Sequence, residues 1–475
     1  MKKKNNSISI KNFGPLKEAN IDIASLTVFI GPNSSGKSFA ALLIHSLSNP
    51  INYPHDNSFS FGINAFNCLL DTNPEEFEKL DNKFRAFVKE NKGLKSYEIS
   101  NEDLDILVSD GIVKFYLECI EDKLRSYFWG DLSKLKRFNP RLESFNSSFE
   151  ITFGDFAYLF EEDLKFKAQF SLHDTMLHRN SLKDPLLVFK FNEKGVLIDV
   201  NPSFSIIYIE EEYTRLLYIF LAAHCFNSLF KNKTHYISAD RDGIVKDKQS
   251  IINKEITNLV SFSKTQKELA SNLLSHKDYR KRKFLYDLAV EMEKEIIGGN
   301  IEIQISQNNE YEIIFNDKKN KFQTSLELMS TSVRELMPIT YYFKYIVDED
   351  DILIIEEPEA HIHPENQMLL TKYFVKAINK GLKIILTTHS DFIIEEFNNF
   401  IRLGKASKDI FKNPKFSEEN ILKHTDINVY HFKGEGYSFV PEKLKIYESG
   451  FDEENFSKVV NDLYNKAEDI IDFHE

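Results

Sequence analysis

The sequence predicts an α/β fold with a mixed and parallel sheet flanked by helices. Three segments indicate it: a phosphate-binding loop near the N-terminus and two apolar strands, far along the chain, that end in ionisable residues. The loop, 31–38, lies between an apolar strand and a helix, which is the order that a P-loop requires. The two later strands end at Glu356-Glu357 and at His389. Parallel sheets place their ligands at the carboxyl ends of strands, so we expect these residues at the ligand-binding edge.

The loop fits the pattern G-x-x-x-x-G-K-[ST]. An apolar run rich in β-formers precedes it at 26–30, and 39–47 predicts a helix. Backbone N–H groups of such a loop and the helix N-terminus bind phosphate oxygens, and Lys37 is expected to reach the β- and γ-phosphates. Ser38 is expected to ligate Mg²⁺. The predicted nucleotide-binding residues are Gly31, Pro32, Asn33, Ser34, Ser35, Gly36, Lys37, Ser38 and Phe39.

The segment 351–358, with sequence DILIIEEP, predicts a buried central strand that ends in two carboxylates. We assign Glu356 to Mg²⁺ and Glu357 to the general base that activates the attacking water. An acidic pair after a strand can instead cap a helix or lie in a solvated turn, and the upstream P-loop favours the catalytic interpretation.

A second apolar strand, 383–388, ends at His389. An imidazole at that position can donate to the γ-phosphate and hold the attacking water, or it can simply cap the next helix. On the first interpretation the catalytic residues are Glu357, His389 and Lys37.

Three stretches, GPNSSGKS, IIEEPEAHIHPENQ and LTTHSDF, resemble the ABC-type ATPase heads of the OLD (overcoming lysogenization defect) and RecF-like group, over residues 1–50 and 325–400. The resemblance implies an ABC-type head that hydrolyses ATP with Mg²⁺ and forms a dimer or higher homo-oligomer around ATP. It implies a signature segment that contacts the nucleotide of the other subunit, and Ser332 stands where the family usually has Gly. It also implies a D-loop at the dimer interface. The signature residues are Ser330, Thr331, Ser332 and Arg334, and the D-loop residues are His361 and His363.

The roles of several polar residues stay open. His361 and His363, with Glu357 and Glu359 nearby, could form a metal site rather than an interface. Arg241 lies in a turn that weakly resembles an Arg-bearing turn of these heads, where it could pair with an acid or reach nucleotide. No Q-loop is evident, and Gln169 is a weak candidate.

The order of the motifs predicts a discontinuous head interrupted by inserted regions. The predicted domains are the head at 1–48, 235–244 and 300–400, an inserted α+β lobe at 49–234, a helical arm at 245–299 and a C-terminal α+β extension at 401–475. Within the head we expect a helix from about 333 to 347, and within the extension a hairpin of 429–432 with 437–440.

Composition limits the possible functions. The 475 residues carry a net charge of −13, from 60 basic and 73 acidic side chains, so DNA binding over the whole surface is excluded. The three cysteines are far apart, and the chain shows neither a signal-peptide core nor an apolar run that spans a bilayer, so we predict a cytoplasmic protein without a membrane contact.

A basic cluster is either a solvated helix face or a patch for DNA or a partner. Its members are Lys277, Arg280, Lys281, Arg282 and Lys283.

Many OLD proteins carry a C-terminal Toprim nuclease, and the segment after His389 has no Asp-x-Asp on an apolar strand. Asp469 and Asp472 fit a solvated helix face instead. We therefore expect an ATPase that controls a second protein effector, a nuclease or toxin, as in anti-phage systems such as PARIS and Septu. The alternative is a RecF-like ATPase that binds DNA in repair or chromosome maintenance.

Overall fold

The computed structural model divides into two compact units. One consists of Met1–Phe13 and Leu43–Lys233, and the other of Gly14–Leu42 and Thr234–Glu475. The predicted domain boundaries differ from this division and stay a prediction. The described residues are 7–48, 58–90, 96–100, 115, 127, 148–153, 156–160, 167–170, 175–176, 187–192, 195–200, 233–246, 265–269, 283–305, 311–317, 322–325, 328–435, 438–451, 462, 464–467 and 470.

Some of the predictions fall outside these residues. They concern Lys277, Arg280, Lys281 and Arg282 of the basic cluster, and Asp469 and Asp472. The fifth basic residue, Lys283, is described, and its ammonium lies 2.7 Å from the carboxylate of Asp348.

The regular elements are numbered in chain order over the described residues. The strands are β1 Ser7–Phe13, β2 Leu16–Asp22, β3 Leu26–Ile30, β4 Ser96–Ser100, β5 Ser148–Phe153, β6 Phe156–Phe160, β7 Lys167–Phe170, β8 Thr175–Met176, β9 Leu187–Asn192, β10 Gly195–Val200, β11 Thr234–Ile237, β12 Gly299–Ile305, β13 Tyr311–Asp317, β14 Phe322–Ser325, β15 Ile352–Glu356, β16 Lys383–Thr387, β17 Ile427–Glu435 and β18 Ser438–Lys443. The helices are α1 Lys37–Ser48, α2 Ser58–Thr72, α3 Pro74–Glu90, α4 Arg241–Lys246, α5 Tyr286–Ile296, α6 Thr331–Tyr341, α7 Pro364–Asn379 and α8 Asp391–Leu403.

The first unit contains antiparallel strands and the pair α2 and α3. Strands β1, β5, β6 and β7 are hydrogen-bonded in that order, and β4, β10, β9 and β8 form a second sheet. The rings of Phe66 and Phe77 meet edge to face between α2 and α3, with centroids 5.1 Å apart. The weak Q-loop candidate Gln169 lies on β7, where it pairs with Ala157 of β6.

The second unit is built on seven strands in the order β11-β15-β16-β3-β17-β18-β2. The first five of these pair in parallel, and β17 and β18 form an antiparallel hairpin. A separate antiparallel sheet contains β12, β13 and β14. This strand order confirms the predicted α/β class with a mixed and parallel sheet, and the predicted hairpin is β17–β18.

The central strands are apolar because both faces of the sheet are covered. All five residues of β3 and of β15 are buried. Helices α7 and α8 supply much of the covering layer through Leu370, Phe374, Ile393 and Phe397, each 0% exposed. A continuous aliphatic run, rather than an alternating one, is typical of a strand covered on both faces.

The predicted helix from about 333 to 347 is present, but it changes its winding. It begins as α6 at Thr331 and becomes a π-helix over Tyr342–Ile346. Pro338 lies within α6 and lacks a backbone N–H, so it cannot donate the usual helical bond.

The π-helical turn places a charged side chain in the interior. Lys344 is 2% exposed and its Nζ lies 2.7 Å from Oε2 of Glu293, which is 1% exposed. Lys344 Nζ also donates to the carbonyl of Ile301 at 2.7 Å, and the Ile301 N–H donates to Glu293 Oε2 at 3.1 Å. The pair therefore joins α5, β12 and the turn that follows α6.

No helix among the described residues is both long and apolar enough to span a bilayer.

Replacing one member of the buried pair should destabilise the second unit strongly. Lys344→Met leaves the Glu293 carboxylate buried without its cation, which costs about 3–5 kcal/mol, whereas the double variant with Glu293→Met should recover most of that loss. Urea unfolding followed by circular dichroism measures both. Lys423→Met, at an exposed lysine, is the control. If Lys344→Met is as mild as this control, the pair does not stabilise the unit.

Candidate functional site

The P-loop follows β3 directly and uses backbone conformations that favour glycine. The φ angles are 137° at Gly31, 59° at Ser34 and 94° at Gly36. A Cβ at Gly31 would lie 2.8 Å from the carbonyl oxygen of Phe432, on the neighbouring strand β17. Glycine at position 31 is thus required by the close approach of β17 as well as by its φ angle.

Lys37, the first residue of α1, turns its ammonium group back onto the loop. Its Nζ donates to the carbonyl oxygens of Gly31 at 3.0 Å and Pro32 at 2.8 Å. Burial lowers the pKa of Lys37 to about 8, although Glu357 and Glu359 oppose that shift. The ammonium is therefore held at the centre of the loop, close to two carboxylates.

The other side chains of the P-loop differ in their exposure to solvent. Pro32, Asn33, Ser34 and Ser38 are exposed, and Ser35 is buried. The ring of Phe39 lies so close to Gly14 that a Cβ there would be 2.3 Å from the ring. The sequence motif did not indicate Gly14, which makes room for Phe39 at the start of α1.

The strand order brings the three predicted motifs to one edge of the sheet. β16 lies between β15 and β3, with Glu356 paired to Thr387 and Thr387 paired to Phe29. The P-loop, the two carboxylates and His389 therefore follow the carboxyl ends of three adjacent parallel strands. Glu356 is 9% exposed, and its Oε2 accepts a hydrogen bond from the N–H of Ala239 at 3.3 Å.

Glu357 adopts a left-handed backbone conformation, with φ of 42°. A non-glycine residue in that region costs about 1–3 kcal/mol and persists only where its surroundings fix it. Its N–H donates to Thr387 O at 2.9 Å and lies 3.2 Å from Thr387 Oγ1. Its side chain is 43% exposed and its Oε1 lies 3.9 Å from His389 Nε2.

Arg241 fixes the turn that begins at the end of β15 by bonding its backbone carbonyl oxygens. The side chain is 0% exposed and donates to the carbonyl oxygens of Glu356 at 2.9 Å, Glu357 at 3.2 Å and Pro358 at 3.3 Å. Its Nε also lies 2.8 Å from Oε2 of the buried Glu335. Of the two predicted roles, the structure shows the pairing with an acid.

His389 is partly buried beside the P-loop lysine. Burial lowers the pKa of His389, the Lys37 ammonium lowers it further, and Glu357 raises it. The imidazole is therefore kept toward its neutral form at neutral pH.

Glu359 was not among the predicted catalytic residues, yet it contacts the strand end that carries His389. Its Oε1 accepts hydrogen bonds from the backbone N–H of His389 at 2.6 Å and from Thr388 Oγ1 at 2.9 Å. Burial raises the pKa of Glu359. A glutamate two positions after an acidic pair was the available sequence signal.

The signature segment opens α6. Ser330 is the N-cap residue, and its Oγ lies 3.0 Å from that of Ser332 rather than on a helix N–H. Arg334 is buried and bonds Asp242 of α4 and Thr331 Oγ1, the latter at 3.2 Å. Arg334 thus holds α6 against α4.

His361 and His363 follow the turn after β15 and are both exposed. His361 Nδ1 lies 3.0 Å from Glu335 Oε1, and His363 is the N-cap of α7, where its Nδ1 accepts from Glu365 N at 3.4 Å. Across the described part of the chain, no group of three or more His, Cys, Asp or Glu side chains is arranged to hold a metal ion. The interface role of the two histidines stays a prediction.

The residues at this edge fit a nucleotide with its magnesium ion. The loop combines a central ammonium group with backbone positions that a Cβ would fill. Ser38 at the start of α1 and Glu356 at the end of β15 carry oxygen atoms of the kind that Mg²⁺ prefers, and they would hold the ion.

This chain is similar to known proteins. Endonuclease GajA of Bacillus cereus (strain HuB5-5) is 25% identical over 439 residues, which cover 83% of this chain and 55% of that endonuclease. The chain therefore spans little more than half the length of this relative.

Two solved SMC heads are also similar. The head from Thermotoga maritima is 9% identical, with a TM-score of 0.35 over 93% of this chain and 99% of that one. The head derived from Pyrococcus furiosus, bound to the C-terminal domain of ScpA, is 10% identical, with a TM-score of 0.38 over 96% and 98%. Both scores are low, so the fold assignment depends on the strand order.

A family model described as an AAA ATPase domain matches residues 4–394, which is most of the chain. The match covers the P-loop, the acidic pair at the end of β15 and His389, whose juxtaposition the structure shows. The chain therefore belongs to the AAA ATPase domain family.

Proposed function

We propose that this protein binds and hydrolyses ATP at the edge formed by β3, β16 and β15, and that it dimerises around the nucleotide. The observation that carries the proposal is the juxtaposition of Lys37, Glu357 and His389, with Glu357 Oε1 3.9 Å from His389 Nε2. A phosphate-binding protein without hydrolysis would not need a half-exposed carboxylate held in a left-handed turn beside a histidine.

Each residue has a distinct role in the proposed reaction. Lys37 binds the phosphates, since its ammonium already lies within the loop. Glu357 accepts the proton of the attacking water, because its carboxylate is accessible, and His389 orients that water and the terminal phosphate. Ser38 and Glu356 would hold Mg²⁺, which would neutralise charge on the phosphates.

The position of α6 supports a site completed by a second copy of the chain. Arg334 and Glu335 of α6 bond Asp242 and Arg241, which follow the edge strand β11. β11 is three strand spacings from β3 in the sheet, or about 14 Å. The N-terminus of α6 is therefore held away from its own P-loop, and a symmetric partner can present it instead.

We further propose that ATP turnover controls a partner effector in anti-phage defence, comparable to the ATPase subunits of PARIS or Septu. Similarity to an endonuclease supports a link with nucleic-acid cleavage, although the match covers only 55% of that protein. A RecF-like role on DNA is the alternative, and a salt-sensitive complex with duplex DNA would favour it.

Glu357→Gln should bind ATP with nearly unchanged affinity but hydrolyse it about 100-fold more slowly, because the amide cannot accept the proton of water. Single-turnover phosphate release and equilibrium binding measure the two effects. Glu365→Gln, at an exposed glutamate in the first turn of α7, is the matched control. Turnover near the wild-type rate in Glu357→Gln would assign the base to another residue.

Nucleotide affinity should fall as the pH rises above about 8, the pKa of Lys37 in the nucleotide-free protein. Below that pH the side chain is charged and binds phosphate. Above it, binding must first take up a proton, so the Kd should rise toward about tenfold per pH unit. Titrations with a non-hydrolysable ATP analogue between about pH 7 and about pH 9.5 measure this.

Lys37→Arg is the control for this pH series, because a guanidinium stays charged throughout the range. Its affinity, whatever its absolute value, should not vary with pH in this way. A wild-type Kd that is constant across the range would contradict the role of Lys37.

Ser330→Arg should block ATP-dependent dimerisation, because a long cation would occupy the N-terminus of α6 that faces the partner. Light scattering of the Glu357→Gln protein with ATP, with and without this second change, measures the mass. Ser407→Arg, at another exposed N-cap serine, is the control. A dimer that forms equally well with Ser330→Arg would argue against a trans site.

A further inference from the structure

We propose that Glu359 is a positioning residue for His389, and that it makes the turn after β15 and the end of β16 move as one element. The inference rests on the proposed hydrolysis, in which His389 acts on the terminal phosphate. Glu359 does not itself need to touch the nucleotide in this role.

The first support is the geometry of the two hydrogen bonds. A single oxygen, Glu359 Oε1, accepts from the N–H of His389 at 2.6 Å and from Thr388 Oγ1 at 2.9 Å. Thr388 Oγ1 in turn accepts from the N–H of Ser390 at 3.0 Å. The backbone on both sides of His389 is therefore held by one carboxylate, directly or through Thr388.

The second support is a similar connection further along the same segment, made from the first turn of α7. Gln367 of α7 accepts a hydrogen bond from Ser390 Oγ and donates from Nε2 to the carbonyl of Ile362 at 2.8 Å. The segment 359–367 thus contacts all three residues of 388–390 through side chains. If either segment moves, it must break these hydrogen bonds or move the other segment with it.

The third support is the rigidity of the turn that carries Glu359. Arg241 bonds the carbonyl oxygens of the three residues before it, Glu356, Glu357 and Pro358. The second oxygen of Glu359, Oε2, is buried and has no hydrogen-bond partner among the described residues. A buried carboxylate that bonds through one oxygen alone is costly for stability, which argues that its place is set by the position of His389.

This arrangement connects the predicted D-loop to the catalytic histidine. The exposed His361 and His363 lie in the same segment as Glu359. A second subunit that pressed on this segment would move the imidazole of His389 through Glu359, without any contact between the partner and His389 itself.

The test combines hydrogen exchange with kinetics on the full chain. In Glu359→Ala the amides of 383–394 should exchange faster than in the wild type, and in Glu359→Gln, which keeps an accepting oxygen, they should exchange nearly as slowly. Glu359→Ala should lower kcat about 10- to 100-fold with KM changed less than about threefold, and Glu359→Gln should recover most of kcat. Glu365→Ala is the matched control in the same segment, at an exposed glutamate.

A double-mutant cycle with His389→Ala separates positioning from an independent role. If Glu359 acts through His389, adding Glu359→Ala to His389→Ala should lower kcat by less than about threefold more. Losses that multiply, or a Glu359→Gln protein as slow as Glu359→Ala, would overturn the inference. Unchanged exchange in Glu359→Ala would also overturn it, and exchange needs no ATP hydrolysis, so a wild type without turnover would refute the proposed function alone.

Discussion

The buried guanidinium of Arg241 is the interaction on which the rest of the site depends. It satisfies three successive carbonyl oxygens after β15 and pairs with Glu335 at the start of α6. Without it, each of those carbonyls would lose a buried donor, and the left-handed conformation of Glu357 would lose part of its support. Since Arg241 follows the edge strand β11, it connects the edge of the sheet to the proposed catalytic turn.

A chain of polar contacts extends from this turn across the end of the sheet. Glu356 accepts from Ala239, Glu359 holds the backbone of His389, and His361 lies against Glu335. Each contact joins two segments that are distant in sequence. Buried polar networks of this kind adopt discrete arrangements rather than deforming continuously. The site can therefore respond as a unit to nucleotide or to a partner.

The interior of the second unit also contains a charged pair, and it lies next to the same helix. Lys344 is in the π-helical turn that continues α6, and Glu293 is in α5. A buried ion pair is weak support for stability in itself, but it specifies how the two helices and β12 meet. Helix α6 and its π-helical continuation are thus fixed at one end by Arg334 and at the other by Lys344.

Much of the site could be predicted from local patterns. The spacing of glycines and Lys37, and the two aliphatic runs that end in Glu356-Glu357 and His389, suffice because strand ends and P-loops have short-range signatures. Glu359 and Gly14 could not be assigned in this way, and Arg241 was left with two alternative roles, of which the structure shows the pairing with an acid. Their roles depend on which distant backbone each one meets, and one sequence does not carry that information.

The sequence by itself determined the α/β class, the order of the motifs and the identity of the phosphate-binding loop. The tertiary structure decided that β16 lies between β15 and β3, which brings the three strand ends together. It also decided that Arg241 is buried under the turn and that Glu359 bonds His389. The physical reason is that strand order and burial follow from the packing of segments that are far apart in the sequence, whereas loop and strand propensities act over a few residues.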